Sequence, residues 1–263
     1  MVAIADQDTE VLQRPRRRGR GLGIGLLVVV LVLVGLLVVA DRVGAGIAEN
    51  RLVSAVETEL GKQEITAAGT SVDIGGFPFL TQVASGNYDR ITIVIDQLRS
   101  GGLSVKTLHI DAEDVTAEPS DLLSGDPKAA AAKVTGVATI AWEDLPRLLN
   151  YAGLGVGNAT FSAAGDDVRV TGTVRVDGQQ IPVSATAAFS VVKNQIRVKV
   201  SEASVSGQDV PPEAKDYVNN LQDELSVGYR VPPLPFGLTV TKVAATDAGL
   251  AVTAVAKDVP LAG

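Results

Sequence analysis

The sequence predicts an α+β protein in which an N-terminal membrane-spanning helix precedes a large, mostly antiparallel β-sheet. Three observations support this fold class. Residues 21–40 form an uninterrupted apolar run, and residues 41–60 carry apolar side chains at helical spacing. From Ser71 onward, apolar and polar residues alternate in segments joined by short turns, which is typical of an antiparallel meander.

The apolar run from Gly21 to Ala40 contains no charged side chain. At about 1.5 Å of rise per residue, a helix of this length spans roughly 30 Å, the thickness of the hydrocarbon core of a bilayer. Basic residues are concentrated just before the run, at Arg14, Arg16, Arg17, Arg18 and Arg20. The positive-inside rule therefore predicts a cytoplasmic tail at residues 1–20, a membrane anchor at 21–40 and an extracytoplasmic domain over 41–263.

A cleaved signal peptide is the alternative interpretation of this run. Val38 and Ala40 occupy the −3 and −1 positions that a signal peptidase would use. A signal core is usually about 7–15 residues long, however, and the longer run favours an uncleaved anchor. Both interpretations export the remaining chain.

The composition limits the function classes that are open to residues 41–263. The chain has 30 acidic and 23 basic residues, a formal net charge of −7, and the five arginines before the membrane run leave the exported part more acidic still. Such a domain does not bind nucleic acid through bulk charge, so we predict no nucleic-acid partner. The sequence has no cysteine, which excludes disulfides, thiol nucleophiles and Cys-ligated metal sites.

Residues 41–60 predict an amphipathic helix that ends at Gly61. Its apolar positions recur at spacings near three and four, at Val43, Ile47, Val53, Val56 and Leu60. The polar face of this helix is acidic, unlike that of helices that lie on lipid. We therefore expect the helix to pack against the sheet of its own domain.

Alternation predicts the strands in chain order. Ile91, Ile93 and Ile95 share one face of a first strand, and residues 103–110 form the next after a Gly-Gly turn. A strand at 133–141 leads into a short helix at 142–151. Further strands are predicted at residues 168–176, 183–191 and 196–200, then a helix at 212–225 and a closing strand pair at 236–243 and 250–255.

The sequence offers no constellation of catalytic or metal-ligating side chains. His109 is the single histidine, and it lies within a predicted strand with no cysteine or second histidine to complete a metal site. The acidic pairs Glu113-Asp114 and Asp166-Asp167 are adjacent residues at strand ends, where carboxylates are normally solvated. We predict no catalytic residue, no metal site and no cofactor, and hence a protein that is not an enzyme.

Two stretches stand out because they combine large apolar side chains with residues that stiffen or bend the backbone. They are residues 71–80, which end in Gly-Gly-Phe-Pro-Phe-Leu, and residues 232–238, Pro-Pro-Leu-Pro-Phe-Gly-Leu. We call them the first and the second Phe-Pro stretch. One interpretation is that both are corners that fill the core at the start of a strand. The other is that they line the mouth of an apolar groove.

Several runs, taken in order, carry a family resemblance: VDIGGFPFL, NYDRITI, the GTVRV to IPVSA hairpin, PLPFGL and KDVPL. Together they resemble the lipomannan elongation factor A family of actinobacterial cell-envelope proteins, which is also described as phospholipid-binding. The resemblance covers residues 41–261. It implies a domain similar to the tubular lipid-binding (TULIP-like) proteins, in which a curved antiparallel sheet wraps a long helix and leaves an apolar channel.

The resemblance also implies phospholipid as the ligand, a periplasmic role in envelope lipid or glycolipid assembly or transport, and glycolipid-assembly proteins as candidate partners. The main hypothesis is therefore a membrane-anchored extracytoplasmic phospholipid-binding protein. The alternative is a non-enzymatic envelope adaptor that docks a protein partner with the same domain. The predicted lipid-binding residues are Phe77, Phe79, Leu80, Ile91, Ile93, Ile95, Ala185, Ala187, Phe189, Leu234, Phe236 and Leu238.

Overall fold

A computed structural model describes residues 19–100, 103–118, 129–147, 157–176, 179–192, 195–205, 228–230 and 234–262. The chain divides into two compact units, residues 1–43 and residues 44–263. A long N-terminal helix is followed by two open antiparallel sheets, which confirms the predicted α+β class. The predicted boundaries of tail, anchor and exported domain remain predictions.

Helix α1 runs without interruption over Gly19–Lys62. The sequence predicted an apolar segment and a separate amphipathic helix over this region, and the structure joins them. Among the described residues, α1 is the one helix whose length and composition suit it to cross a membrane. Helix α1 continues one residue past Gly61, its predicted end. The short helix α2 follows at Phe79–Ser85.

The strands divide between two sheets, and every strand pairing is antiparallel. In chain order they are β1 (Gly69–Gly75), β2 (Asn87–Ser100), β3 (Leu103–Ala117), β4 (Ala129–Ile140), β5 (Gly157–Ala164), β6 (Asp167–Val176), β7 (Gln179–Val192), β8 (Gln195–Val205), β9 (Gly228–Arg230), β10 (Thr239–Thr246) and β11 (Gly249–Ala262). The six-stranded sheet has the order β1-β2-β3-β4-β11-β10, and the five-stranded sheet has the order β5-β6-β7-β8-β9.

The predicted helix at 142–151 begins as a 3₁₀ turn at Trp142–Asp144, and its later part lies outside the described residues. The predicted helix at 212–225 also lies outside them. Alternation located β6, β7 and β8 correctly, whereas β5 and α2 were not predicted.

The main core lies between the C-terminal part of α1 and one face of the six-stranded sheet, which we call the inner face. Ala45, Ala48 and Leu52 of α1 pack there against Ile74 of β1 and Val134 of β4. The predicted buried face of this helix was wrong at its start, because Val43 and Ile47 are 56 and 53 % exposed. The buried side of the helix instead carries the short side chains of Ala45 and Ala48 together with Leu52.

A second core joins the two sheets. Val240 and Val243 of β10 pack with Phe189 and Val191 of β7. We call the face of the five-stranded sheet that carries Phe189 its inner face, so the inner faces of the two sheets meet at this edge. The Ala245 N–H donates a hydrogen bond to the Asp166 carbonyl oxygen at 3.0 Å, across the same junction. The apolar surface therefore continues from one sheet onto the other.

The inner face contains a local change in the strand alternation. Two rows of buried or half-buried side chains cross β2, β3, β4 and β11. Two residues separate the rows on each strand, where regular alternation would place one. The rows are Tyr88, Val115, Ala131 and Val259, and then Ile91, Ala112, Val134 and Ala256. The extra position occurs on all four strands, so the pairing register is preserved while the sheet is reshaped.

Candidate functional site

The first Phe-Pro stretch forms a tightly held turn between β1 and α2. Gly76 has a φ of +91°, and a Cβ at this position would collide with the Asp89 carboxylate and lie 2.7 Å from Gln82 Nε2. The buried Gln82 side chain fixes the turn from both sides: its Nε2 donates to the Gly75 carbonyl oxygen at 3.1 Å, and its Oε1 accepts from the Asp89 backbone N–H at 2.9 Å. The backbone around Phe77 is therefore well anchored.

This turn directs its large side chains in opposite directions. Phe79 is only 6 % exposed, and its ring centroid lies 6.5 Å from that of Tyr88. Its ring also lies against Gly44 of α1, where a Cβ would be 3.6 Å away. Phe77 and Leu80, in contrast, are 56 and 44 % exposed. The stretch thus combines the two interpretations of the sequence, since it contributes one side chain to the core and two to the surface.

The second Phe-Pro stretch repeats this division on the other edge of the sheet. Phe236 lies in a 3₁₀ turn at Pro235–Gly237 with a φ of +58°, and its side chain is 58 % exposed. Leu234 and Leu238, on either side, are half-buried and pack into the core between the sheets. Leu238 also packs against the main core, so it contacts both clusters.

The two Phe-Pro stretches lie at the same end of the six-stranded sheet. The registers bring together the start of β2 and the end of β3, then the start of β4 and the end of β11. The start of β10 lies toward this end as well, because Thr239 pairs with Val255. The turn with Phe77 precedes β2 and the turn with Phe236 precedes β10, so both turns project from this end.

The predicted lipid-binding residues of β2 lie on the inner face. Ile91 is half-buried and packs against the main core, Ile93 is half-buried, and Ile95 is buried. Ile93 and Val94 point to opposite faces of the strand, and both are half-buried. In a fully packed core the inward residue of such a pair would be the more buried one.

On the five-stranded sheet, Ala185, Ala187 and Phe189 share the apolar face of β7. Ala187 is buried in a row with Val168 of β6 and Val200 of β8. Ala185 pairs with Val170, and both are half-buried. Phe189 is half-buried and packs toward β10. Of these β7 residues, Phe189 lies together with Leu234 and Leu238 at the junction of the sheets.

The outer face of the six-stranded sheet is polar and internally hydrogen-bonded. Thr92 Oγ1 donates to Asp111 Oδ1 at 2.7 Å, and His109 Nε2 lies 3.0 Å from Asp111 Oδ2. Glu113 forms ion pairs with Lys133 at 3.3 Å and with Arg90 at 3.8 Å. These contacts give His109 a structural partner. The described residues contain no group of three or more His, Cys, Asp or Glu side chains placed to hold a metal ion.

The sequence did not single out Gln82 or Asp89, the residues that hold the Phe77 turn. The Gly75-Gly76 pair indicated a tight turn, but the amide that clamps it comes from α2, which is too short to show a helical period. The site presents a continuous apolar surface bordered by exposed aromatic side chains. Such a surface suits an apolar ligand.

A family model described as LmeA-like phospholipid-binding matches residues 39–255 of this chain. No curated protein matches it.

Proposed function

The chain belongs to the LmeA-like phospholipid-binding family, and we propose that it is a membrane-anchored protein that holds a phospholipid against the inner faces of its two sheets. The lipid acyl chains would contact Ile93, Ala185 and Phe189. The domain would work on the extracytoplasmic side of the cell membrane, in the assembly or transport of envelope lipids or glycolipids.

The observation that carries this proposal is the incomplete burial of the inner face. Four apolar residues remain half-buried. They are Ile91 and Ile93 on the six-stranded sheet, and Ala185 and Phe189 on the five-stranded sheet. An acyl chain could cover this remaining surface. Burying about ten methylene groups would contribute roughly 8 kcal/mol, the free energy that corresponds to a micromolar dissociation constant, before the cost of ordering the lipid.

The anchor supports the same proposal from a second direction. The apolar part of α1 would keep the domain at the membrane that supplies its ligand, so that lipid is always available locally. Membership in a lipid-binding family favours a binding role over an enzymatic one. By the family resemblance, envelope proteins would receive the lipid from this domain or deliver lipid to it.

Lipid analysis of the detached domain tests this function. Residues 44–263 form a compact unit, so we expect a chain that starts at residue 41 to fold without the anchor. Purified without detergent and extracted with organic solvent, it should yield phospholipid in near-stoichiometric amount. After delipidation it should take up phospholipid again from vesicles. A folded domain that carries no lipid and takes none up would refute the proposal and favour the adaptor alternative.

A further inference from the structure

We propose that the end of the six-stranded sheet that carries Phe77, Leu80 and Phe236 rests on the lipid bilayer and inserts these side chains among the headgroups. We call this set of three residues the apolar tip. The proposal rests on the membrane anchor of the proposed function, and it adds a second contact between the protein and the membrane. The binding partner of the apolar tip is the surface of the bilayer.

The exposure of the apolar tip is the first observation. A single exposed apolar residue is ordinary on a protein surface, but here three large ones project from two turns at one end of one sheet. Several large exposed apolar side chains at one end of a sheet mark an interaction surface. Leucine and phenylalanine are also the side chains that amphipathic proteins bury at the boundary between headgroups and acyl chains.

The second observation is that the turn around Phe77 is held rigidly. Gln82 bonds to the backbone of Gly75 and of Asp89, and Gly76 fits a space that no side chain could share. Phe79 anchors the same turn in the core. A fixed turn that presents exposed apolar groups loses little conformational entropy when it binds a surface.

The third observation identifies the surface. The side of the apolar tip that carries Phe77 and Leu80 lies where α1 enters the domain, because Leu80 and the neighbouring Phe79 lie within 4 Å of a Cβ placed on Gly44. Gly44 follows Ala40, the end of the predicted membrane segment, by four residues. Four residues span at most roughly 14 Å even when fully extended. The bilayer is therefore the one large apolar phase that the covalent chain keeps close to this end of the domain.

The charge balance supports insertion through apolar groups. The protein is acidic, with a net charge of −7, so an anionic membrane would not attract the domain by bulk electrostatics. We therefore expect the contact to form in neutral phosphatidylcholine vesicles and to persist at high salt.

Site-specific fluorescence on the full chain tests the proposal. The chain contains no cysteine, so single-cysteine variants can each carry one nitrobenzoxadiazole label. The variants Phe77→Cys and Phe236→Cys report on the apolar tip. Ala248→Cys, in the exposed turn between β10 and β11 at the other end of the sheet, is the matched control. Each labelled protein is reconstituted in phosphatidylcholine vesicles and exposed either to spin-labelled lipid or to aqueous iodide.

We expect spin-labelled lipid to quench the labels at 77 and 236 severalfold more than the label at 248, and iodide to show the reverse order. A lipid bound inside the domain could also quench, so the labels are repeated in an Ala185→Trp background, where quenching by the bilayer persists. A further label at Leu33→Cys, within the apolar run, reports on the anchor separately.

Two results would overturn the proposal, and they differ in what else they overturn. If the label at 33 is quenched by lipid while those at 77 and 236 are as open to iodide as the label at 248, the apolar tip does not touch the bilayer and the anchor stands. If the label at 33 is itself open to iodide, the anchor fails, and the tip contact fails with it. Lipid bound by the detached domain would survive either result.

Discussion

Asp114 of β3 and Asp258 of β11 lie opposite the same residue, Ala132 of β4, which is the strand between them. Both aspartates adopt a left-handed backbone conformation, with φ of 49° and 51°. These positions are the extra residues that separate the two buried rows of the inner face. A left-handed residue in each neighbouring strand lets the side chains of Val115 and Val259 return to the core. Aspartate tolerates this conformation better than most residues, which accounts for its use at both positions.

A valine in place of Asp114 should destabilise the domain. A β-branched residue at positive φ costs about 1–2 kcal/mol, so Asp114→Val should lower the free energy of unfolding by that amount. Asp114→Asn is the matched control, because asparagine adopts the same conformation with little penalty. Urea denaturation followed by the fluorescence of Trp142, the only tryptophan, measures both variants. Equal stabilities for the two would show that the backbone conformation is unimportant here.

The Phe77 turn should be equally sensitive to a single methyl group. Gly76→Ala places a Cβ against Asp89 and Gln82 at a φ of +91°, and we expect a loss of about 1–3 kcal/mol from the combined clash and backbone strain. Gly61→Ala is the control, because open space surrounds that position in α1. There alanine should stabilise the helix by up to about 1 kcal/mol. The same urea titration compares the two, and a neutral Gly76→Ala would contradict the rigid turn.

Particular residues show how far the sequence could predict this fold. Val168 and Val170 alternate regularly with charged and hydroxyl neighbours. This pattern predicted both the position of β6 and its buried face. The change of alternation at Asp114 and Asp258 escaped prediction, because an aspartate within a strand looks the same whether its φ is negative or positive. Only the pairing of distant strands shows that the two positions align.

The buried face of α1 shows a different limit. Periodicity weights large apolar residues and therefore favoured Val43 and Ile47, yet the sheet contacts Ala45 and Ala48. A pattern of large apolar residues does not reveal a buried face that is made partly of alanines. For the candidate site, the sequence identified both Phe-Pro stretches, but it could not divide their side chains between core and surface. In the first stretch that division depends on the hydrogen bonds of Gln82, which lies in a helix too short to recognise.

Deprotonation of Tyr88 should destabilise the domain at alkaline pH. Burial raises the pKa of the Tyr88 phenol above its usual value, so the native state keeps this proton at a pH where the unfolded chain loses it. The resulting stabilisation is complete below about pH 10, the pKa of an unperturbed tyrosine, and is lost as the pH rises through the native value. Tyr88→Phe should unfold like the wild type at neutral pH and lose stability less steeply above pH 10. Parallel pH profiles of the unfolding free energy would contradict this.

The orientation of the chain across the membrane is a separate prediction. Because the five arginines precede the apolar run, a reporter enzyme that is active only outside the cytoplasm should be active when fused after Gly263. Replacing Arg14, Arg16, Arg17, Arg18 and Arg20 with glutamine should lower that activity, since the charge bias that orients the helix is removed. Activity of a cytoplasm-only reporter at the same fusion point would refute the extracytoplasmic assignment.

The lipid-binding hypothesis makes its sharpest prediction on β7, where two alanines on one face differ in burial. Ala187 lies in a filled row between Val168 and Val200, so Ala187→Trp must overpack the core and should cost about 1–3 kcal/mol or more. Ala185 is half-buried. There a tryptophan can occupy the space that we assign to the acyl chain.

Ala185→Trp should therefore lower the phospholipid content of the purified domain severalfold while its melting temperature stays close to that of the wild type. Ala187→Trp should lower the melting temperature, and any lipid loss should follow the loss of folded protein. Lipid phosphate per folded protein, measured beside thermal unfolding, distinguishes the two effects. If both variants unfold and the wild-type domain binds no lipid, the space beside Ala185 is part of a dry core, and the inner face has no acyl chain to hold.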